Sequence, residues 1–363
     1  MLAQSGQIIR ARAPLRLGLA GGGSDVSPFC DEHGGCVLNA AIDRYAFASI
    51  EPAAKGEVNF DATDLEYRDA CITPDGARRL DDSQGLRLHR GVYNRMCALY
   101  CDGEWPSIRL TTFVESPMGS GLGSSSALVV TMVQAFATYL GAPLGEYEVA
   151  RLAFDIERRD LGLSGGRQDQ YAAAFGGVNF MEFGAADHVI VNPLRLRSSM
   201  LHELEAGIIL LFTGASRSSS EVIDTQSKAL QSGGASLEAM HQLKREAVAM
   251  KEALLFGGLT DVAEVLERGW QAKKATSSAV STPEIEAALA QAMSDGAYAG
   301  KVSGAGGGGF IMFIAPPERR AQIMRSLESG RHGQCMTARF VDDGALAWRA
   351  PTPSLATTRR PTH

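Results

Sequence analysis

Three glycine-rich segments carry the residue types that bind phosphate groups. We number them loop 1 (residues 20–25), loop 2 (residues 117–127) and loop 3 (residues 303–309). Loop 2, PMGSGLGSSSA, leads directly into a helical pattern. A glycine loop that enters a helix directs free backbone N–H groups and the positive end of the helix dipole at one point, which favours an anion. The serine hydroxyls are oxygen ligands of the kind that Mg²⁺ accepts together with substrate phosphates.

Loop 2 is not a Walker P-loop, because no GxxxxGK[ST] sequence is present. The alternative to a phosphate site is a Gly/Ser linker with a serine that caps the helix. The strongly apolar helical pattern that follows immediately argues against a linker.

Loop 1, AGGGSD, follows a strand-like segment that contains Arg16. Its three glycines allow the backbone to approach a ligand closely. Asp25 offers a carboxylate, which suits sugar hydroxyls or a cation. The alternative is a turn whose aspartate caps the next segment.

Loop 3, SGAGGGG, satisfies the GxGxxG pattern at Gly304, Gly306 and Gly309. A dinucleotide-binding fingerprint lies between a strand and a helix. Here FIMFI follows the glycines and is typical of a strand, so the dinucleotide interpretation fails. Two alternatives stay open: a loop packed near the phosphates of a ligand, and a tight connection between strands.

Two charged segments follow the second helical pattern. Residues 155–160, DIERRD, are typical of a solvated helix face. In GGRQDQY, at residues 165–171, Arg167 and Asp169 follow two glycines at the start of a helix of small residues. An aspartate there is most often a cap. As functional groups, Asp169 could orient or deprotonate an attacking hydroxyl and Arg167 could hold an anion.

The elements that position these residues are predicted by their hydrophobic patterns. We expect strands at 8–19, 36–51, 108–115, 178–183, 189–191, 207–213 and 310–314, and helices at 124–140, 146–159, 168–175, 237–254, 261–270 and 283–293. Strands and helices mix without a steady βαβ alternation, which predicts an α+β fold. The length of 363 residues suits two domains. We place them at residues 1–195 and 196–350, with a flexible tail at 351–363.

The composition excludes several classes of protein. A formal net charge of −6 argues against a nucleic-acid binder, which usually carries a basic excess. No apolar run is long enough for a transmembrane helix or a signal peptide, so we expect a cytoplasmic protein without membrane contacts. The six cysteines form no CxxC pair and are expected to be reduced. Zinc at Cys97 and Cys101 is the minor alternative. The sequence carries no signal for an oligomeric state.

The motifs in this order resemble the GHMP kinase superfamily over roughly residues 8–315. The resemblance rests on Ala13-Pro14-Leu15-Arg16 with GGGSD, on PMGSGLGSSSA, on SGGRQDQYAAAFGG and on KVSGAGGGGF. It implies a two-lobed α+β fold, with an N-terminal lobe like the second domain of ribosomal protein S5 and a ferredoxin-like C-terminal lobe. It also implies an enzyme that transfers the γ-phosphoryl group of ATP with the help of Mg²⁺.

Within the superfamily, PLRLGLAGGGSD and RQDQYAAAFGG are most similar to the D-glycero-D-manno-heptose 7-phosphate kinases, with fucokinase-like sugar kinases next. This similarity implies the anomeric hydroxyl of the heptose 7-phosphate as acceptor and a 1,7-bisphosphate as product. Galactokinases have Gly-Glu-His-Thr-Asp where this chain has Gly-Gly-Gly-Ser-Asp, which argues against galactose. Other interpretations are another GHMP small-molecule kinase, a decarboxylase of the mevalonate branch and a non-catalytic sugar or nucleotide sensor.

The resemblance also implies roles for individual residues. Asp169 matches the aspartate that orients or deprotonates the acceptor hydroxyl, and Arg16 matches a basic residue near the transferred phosphoryl group. Ser125 and Glu157 match the metal-binding pair. The ATP-binding residues implied are Pro117, Gly119, Ser120, Gly121, Leu122, Gly123, Ser124, Ser125 and Ser126. The substrate-binding candidates are Gly22, Gly23, Ser24, Asp25, Arg167, Arg217, Gly306 and Gly307; Arg12, Arg167 and Arg217 are the candidates for the second phosphate.

Overall fold

The computed structural model describes residues 7–72, 79–117, 119–214, 219–231 and 234–351. The strands within these ranges are β1 (Gln7–Ala20), β2 (Gly35–Pro52), β3 (Glu57–Ala62), β4 (Tyr67–Ile72), β5 (Ile108–Val114), β6 (Val178–Phe183), β7 (Val189–Pro193), β8 (Ile208–Phe212), β9 (Ala299–Val302), β10 (Phe310–Ile314), β11 (Gln334–Met336) and β12 (Leu346–Pro351). The helices are α1 (Phe29–His33), α2 (Arg87–Tyr100), α3 (Ser124–Leu140), α4 (Glu146–Phe154), α5 (Gln168–Phe175), α6 (Ser198–Gly207), α7 (Ser219–Gln231), α8 (Ala235–Phe256), α9 (Leu259–Thr276), α10 (Pro283–Ser294) and α11 (Arg320–Ser329). A π-helical segment spans Asp155–Asp160, and a 3₁₀ turn spans Ser278–Val280.

The first sheet holds the strands that lead into loops 1 and 2. Over the described ranges its order is β12-β1-β2-β5-β3-β4, and β6 and β7 join it through β2. All neighbours are antiparallel except β3 and β5. The first half of β1 still has an exposed position at Arg10, whereas the strand is buried on both faces from Ala13 onward. Helices α3, α5 and α8 pack against β1 and account for this burial.

The second sheet supports loop 3. Its order is β11-β8-β10-β9, with antiparallel neighbours. Strands β8 and β10 pair from Phe310 with Phe212 to Ile314 with Ile208. Every residue of β10 is buried, as an apolar run of five predicts for a central strand. Helix α9 packs against β9 and places the buried Trp270 in the core of this half.

Local patterns predict the first and last residues of several elements correctly. The predicted helix 124–140 and the predicted strand 310–314 coincide with α3 and β10. The predicted single helix 146–159 is wrong at its C-terminal end, because α4 ends at Phe154 and the chain continues as the π-helical segment. This segment buries Ile156 and Glu157, whereas Arg159 and Asp160 are exposed, so only its C-terminal end is the solvated face that its charges indicate.

The end of the described chain returns to the first sheet. Strand β12 pairs with β1 from Pro351 with Gln7 to Leu346 with Arg12. These residues therefore pair with the N-terminal sheet, although the predicted division assigns residues 196–350 to a second domain. The boundary at residue 195 lies between β7 of the first sheet and β8 of the second, and it stays a prediction.

Two further findings concern membranes and metals. In the described part of the chain, none of the helices combines the length and apolarity needed to cross a membrane. All six cysteines are unpaired. Nowhere in the described residues do three or more His, Cys, Asp or Glu side chains form a metal-binding group, so Cys97 and Cys101 do not form a zinc site with such partners.

Candidate active site

The N-terminus of α3 is the anion-binding feature of the site. Helix α3 begins at Ser124, after Gly123, whose φ of 76° is in the left-handed region. No side chain caps this end of the helix. The backbone N–H groups of Ser124, Ser125 and Ser126 belong to the first turn, which has no intrahelical acceptors. Together with the dipole of a 17-residue helix they can bind a phosphate group, and that role stays a prediction.

Loop 3 packs directly on loop 2 and fixes its position. The carbonyl oxygen of Gly121 accepts hydrogen bonds from Ser303 Oγ at 3.0 Å and from Arg16 Nη1 at 2.5 Å. The backbone N–H of Phe310 donates to the carbonyl of Ser120 at 2.9 Å. A Cβ on Gly121 would lie 2.4 Å from the carbonyl oxygen of Ser303. The glycines of the two loops therefore permit a contact that side chains would prevent, and loop 3 lies beside the phosphate site.

Arg16 and Asp169 form the ion pair at the centre of the cleft. Arg16, on β1, is 4% exposed, and its Nε and Nη2 atoms lie 2.8 and 2.7 Å from Asp169 Oδ1. Asp169 is in the first turn of α5, and about a quarter of its side chain is exposed. A Cβ on Gly123 would lie 3.4 Å from the Asp169 carboxyl carbon, so the carboxylate lies against the start of α3. A carboxylate in this place can accept a proton from a hydroxyl beside a bound phosphate.

Asp25 positions the N-terminus of α5. Its Oδ2 accepts the backbone N–H groups of Arg167 and Gln168 at 2.9 and 3.0 Å. Its Oδ1 accepts the backbone N–H of Gly23 and the side-chain amide of Gln168, both at 3.0 Å. Asp25 lines the cleft and is 1% exposed. The alternative of a cap on the next segment is wrong, because Asp25 instead caps α5, more than 140 residues along the chain. Its contact with sugar hydroxyls stays a prediction.

Ser125 and Glu157 lie side by side in the lining of the same cleft. Ser125 Oγ donates to Glu157 Oε1 at 3.2 Å, and the side-chain amide of Gln170 donates to Glu157 Oε2. Glu157 is 1% exposed and belongs to the π-helical segment, a feature often found at functional sites. The Gln170 Oε1 atom is buried without a partner among the described residues. These oxygen atoms are the ligand type of a hard divalent cation.

The cleft contains two cations that the sequence analysis did not identify. Arg158 lies beside Glu157, with Nη1 3.6 Å from Oε1. Lys273, on α9, donates from Nζ to the carbonyl of Gly304 at 2.6 Å. Burial lowers the pKa of Lys273 to about 8; the nearby Asp25 and Asp169 oppose that shift, and Arg16 adds to it. The signal for Lys273 was its helical spacing from Trp270, which places a lysine on the apolar face of α9.

The structure brings most of the predicted residues together and leaves some away from the cleft. The predicted residues that line it are Arg16, Gly23, Asp25, Gly119, Gly121, Gly123, Ser124, Ser125, Ser126, Glu157 and Asp169. Those not in its lining are Arg12, Gly22, Ser24, Pro117, Ser120, Leu122, Arg167, Gly306 and Gly307. Arg217 lies outside the described residues.

The residues away from the lining have structural contacts instead. The Arg167 guanidinium is bonded to the carbonyl of Gly184, to Ser27 and to Asp31. Ser24 Oγ donates to backbone carbonyls of β2 and of its own loop. Gly307 donates its backbone N–H to the carbonyl of Val280 at 2.8 Å. The side chains of Arg167 and Ser24 and the backbone of Gly307 therefore hold the loops in place.

Comparisons with known proteins identify the family of the chain. The family model for the GHMP kinases N-terminal domain matches residues 87–177, and the model for the GHMP kinases C-terminal domain matches residues 249–331. A curated protein of Campylobacter jejuni, D-glycero-alpha-D-manno-heptose 7-phosphate kinase, is 41% identical over 94% of this chain and 99% of its own length. Among solved structures, a D-glycero-D-manno-heptose 1-phosphate kinase from Bacteroides thetaiotaomicron is 43% identical with a TM-score of 0.78, covering 94% of this chain and 98% of that one.

A galactokinase of Lactococcus lactis, 17% identical with a TM-score of 0.73 over 93% of this chain and 94% of its own, shares the fold. The predicted two-lobed kinase fold is thereby confirmed, with its N-terminal and C-terminal family domains. The glycine loops, the Arg16–Asp169 pair and these similarities lead to one conclusion: the chain belongs to the GHMP kinase family and is a phosphotransferase with an alcohol group as acceptor.

Proposed function

We propose that this kinase transfers the γ-phosphoryl group of ATP to the anomeric hydroxyl of D-glycero-D-manno-heptose 7-phosphate and gives the 1,7-bisphosphate. The acceptor is supported by the 41% identity with the Campylobacter jejuni heptose 7-phosphate kinase over nearly the whole of both chains. The chemistry is supported by one observation above all. The Arg16–Asp169 pair lies against the uncapped N-terminus of α3, where a phosphate and a hydroxyl can meet.

The transition state of phosphoryl transfer is loose, so positioning and charge neutralisation provide most of the rate. In our proposal the first-turn N–H groups of α3 and loop 2 hold the ATP phosphates. Asp169 accepts the proton of the acceptor hydroxyl as the oxygen attacks phosphorus. Arg16 fixes the Asp169 carboxylate and adds positive charge beside the transferred group.

The residues present fit a magnesium ion. Ser125 and Glu157 offer adjacent oxygen ligands, and substrate phosphates and water would supply the rest, as Mg²⁺ prefers. When bound, the ion would neutralise charge on the ATP phosphates. Gln170 holds the Glu157 carboxylate in place, so that its orientation is set before a ligand arrives.

The names of the two relatives differ in the position of the sugar phosphate, since one is a heptose 7-phosphate kinase and the other a heptose 1-phosphate kinase. We test the acceptor by measuring ADP release with Mg·ATP. The panel contains heptose 7-phosphate, heptose 1-phosphate, the free heptose, L-fucose, D-galactose, D-mannose and mevalonate. Turnover confined to heptose 7-phosphate supports the proposal. A preference for a free sugar or mevalonate contradicts the acceptor, and release of CO₂ would indicate a decarboxylase. ATP binding without turnover would indicate a sensor.

A phosphorylated acceptor requires a cation for its distal phosphate. Arg12 pairs with Asp343 and lies over the Tyr45 ring, and Arg167 is enclosed by its own partners. Of the three predicted candidates we therefore retain Arg217, which precedes α7, a helix that lines the cleft through Ile223 and Gln226. Arg217→Ala should raise the KM for the phosphorylated sugar far more than for the free sugar. An equal effect on both would remove Arg217 from this role.

We also propose a cytoplasmic location, where ATP and phosphorylated sugars are available.

A further inference from the structure

Lys273 is a buried cation without a carboxylate partner. It is 4% exposed, and its Nζ contacts two backbone carbonyls, that of Gly304 at 2.6 Å and that of Gly22 at 3.3 Å. No ion pair joins it to an Asp or Glu side chain in the part of the chain that the structure describes. A buried charge is ordinarily paired with an opposite charge. An anionic ligand in the cleft would supply that partner.

Lys273 contacts loops 1 and 3, and loop 3 in turn packs on loop 2. Gly22 belongs to loop 1 and Gly304 to loop 3, and a Cβ on Gly304 would lie 2.6 Å from the Cα of Gly121 in loop 2. Lys273 lines the same cleft as Arg16 and Asp169. An ammonium group has three N–H donors, and carbonyl oxygens occupy two of them here. The third is available to a ligand in the cleft.

The neighbouring charges indicate that Lys273 carries a proton at neutral pH. Burial lowers its pKa to about 8, and Arg16 acts in the same direction, while Asp25 and Asp169 oppose the shift. The nearby Lys301 differs, because burial holds its pKa well below the ordinary value and its Nζ donates to the carbonyl of Gly18 at 2.8 Å. Arg16 already has its counterion in Asp169. Lys273 is thus the charged side chain of this cluster whose hydrogen-bond partners are neutral backbone carbonyls.

Building on the proposed function, we propose that Lys273 donates its third N–H to an oxygen of the phosphoryl group in transfer. The bond from the γ-phosphorus to the bridging oxygen of ADP breaks as the bond from the acceptor oxygen to phosphorus forms. The acceptor proton passes to Asp169, and ADP leaves. Lys273 keeps its proton throughout and neutralises charge on the phosphoryl oxygens, so α9 supplies a second cation in addition to Arg16.

The test compares Lys273→Met with Lys273→Arg and with a matched control. Lys274→Met is the control, since Lys274 is the next residue of α9, is partly exposed and pairs with Glu286. With Mg·ATP and the acceptor that the wild-type protein phosphorylates fastest, Lys273→Met should lower kcat about 10²–10³-fold, as loss of one such donor does elsewhere. Its acceptor KM and its Kd for ADP should change less than about threefold. Lys273→Arg should recover part of kcat, and Lys274→Met should match the wild type.

A second readout does not depend on turnover. Aluminium fluoride mimics the transferred phosphoryl group and should tighten ADP binding to the wild-type protein in the presence of Mg²⁺ and acceptor. The tightening should be lost in Lys273→Met while ADP alone binds as before. A wrong heptose assignment would change the acceptor that is used but not this comparison, so the two proposals fail separately.

Three results would overturn the role of Lys273. They are a kcat within about threefold of the wild type in Lys273→Met, a change confined to the acceptor KM, and an unchanged aluminium fluoride effect. If Lys273→Met does not bind ADP, the wild-type pH profile decides. A fall in kcat/KM as pH rises through about 8 supports the proposal, because kcat/KM reports the free protein, whose ammonium loses its proton there. A flat kcat/KM between about pH 7 and 9.5 contradicts it.

Discussion

Two nitrogen atoms of Arg16 bind the same oxygen atom of Asp169. Nε and Nη2 both contact Oδ1, at 2.8 and 2.7 Å, and no hydrogen bond from the described residues reaches Oδ2. The pair is therefore asymmetric: Oδ1 anchors the carboxylate, and Oδ2 is the atom that we propose accepts the proton of a substrate hydroxyl. Because Arg16 Nη1 also binds the Gly121 carbonyl, the same guanidinium fixes the Asp169 carboxylate relative to loop 2.

Asp169→Asn tests the role of the free oxygen. The amide keeps the shape of the side chain but cannot accept the acceptor proton as a base, so kcat should fall about 10²–10⁴-fold. The Kd for ATP should change little, because loop 2 and α3 are intact. Steady-state kinetics and calorimetric ATP titration measure the two quantities, with Asp343→Asn as an exposed control. Wild-type turnover in Asp169→Asn would remove Asp169 as the base.

Asp25→Ala tests the link between loop 1 and α5. The substitution leaves four N–H groups without their carboxylate, three of them on the backbone. The free energy of unfolding should fall by at least about 3 kcal/mol, since buried donors lose a charged acceptor. Urea unfolding measures it, and Asp343→Ala should stay within about 0.5 kcal/mol of the wild type. A loss as small as that of the control would show that these hydrogen bonds contribute little.

Gly121→Ala tests the contact between loops 2 and 3, and Gly103→Ala provides the control. The two glycines have similar φ angles, 86° and 89°, so both alanines bear the same backbone strain of about 1 kcal/mol. At Gly103 a Cβ meets nothing within 4 Å, whereas at Gly121 it would lie 2.4 Å from the Ser303 carbonyl oxygen. We expect Gly121→Ala alone to weaken ATP binding, by at least about tenfold, or 1.4 kcal/mol. Equal ATP affinity in both variants would contradict the account of the loop contact.

Glu157→Gln tests the metal pair. Loss of the carboxylate charge beside Ser125 should raise the Mg²⁺ concentration that supports half-maximal ADP binding, with little change in ADP binding without metal. Calorimetric ADP titrations at several Mg²⁺ concentrations measure this without catalysis. The exposed Glu104→Gln serves as the control. An unchanged Mg²⁺ requirement would show that Glu157 does not hold the ion.

His89 predicts a pH dependence of stability that is separate from the active site. It is 3% exposed, its Nε2 lies 2.8 Å from Thr112 Oγ1, and burial lowers its pKa from 6.5 to about 4. Between these values the unfolded chain holds more protons than the native one, so stability falls as pH falls from 6.5 to 4. His89 alone can lower the free energy of unfolding by at most about 1.4 kcal/mol for each pH unit. Urea unfolding at several pH values measures this. As pH falls, the free energy of unfolding should decrease less in His89→Gln than in the wild type or in the exposed control His202→Gln. Equal decreases would exclude His89 as a cause.

The sequence predicts what is local. Glycines followed by an apolar helical pattern identify loop 2 and α3, and an apolar run of five residues identifies β10. Contacts between distant segments could not be predicted from spacing. Asp25 caps α5 across more than 140 residues, and loop 3 meets loop 2 across more than 180.

Other features were hidden because their signals are weak or misleading. The π-helical segment has the charges of a solvated face but turns Glu157 inward. Lys273 is a lysine on an apolar helix face, which by itself does not reveal its contacts with loops 1 and 3. Strand β12 is separated from its partner β1 by nearly the whole chain, so nothing local indicates their pairing.

The central claim is phosphoryl transfer to the anomeric oxygen of a sugar that already carries a phosphate. The most direct measurement is ³¹P and ¹H NMR of the product formed from heptose 7-phosphate and Mg·ATP. We predict a second sugar phosphorus signal coupled to the anomeric proton, with the original 7-phosphate signal retained. A new phosphate on any other carbon, or ADP release without a phosphorylated sugar, would contradict the account.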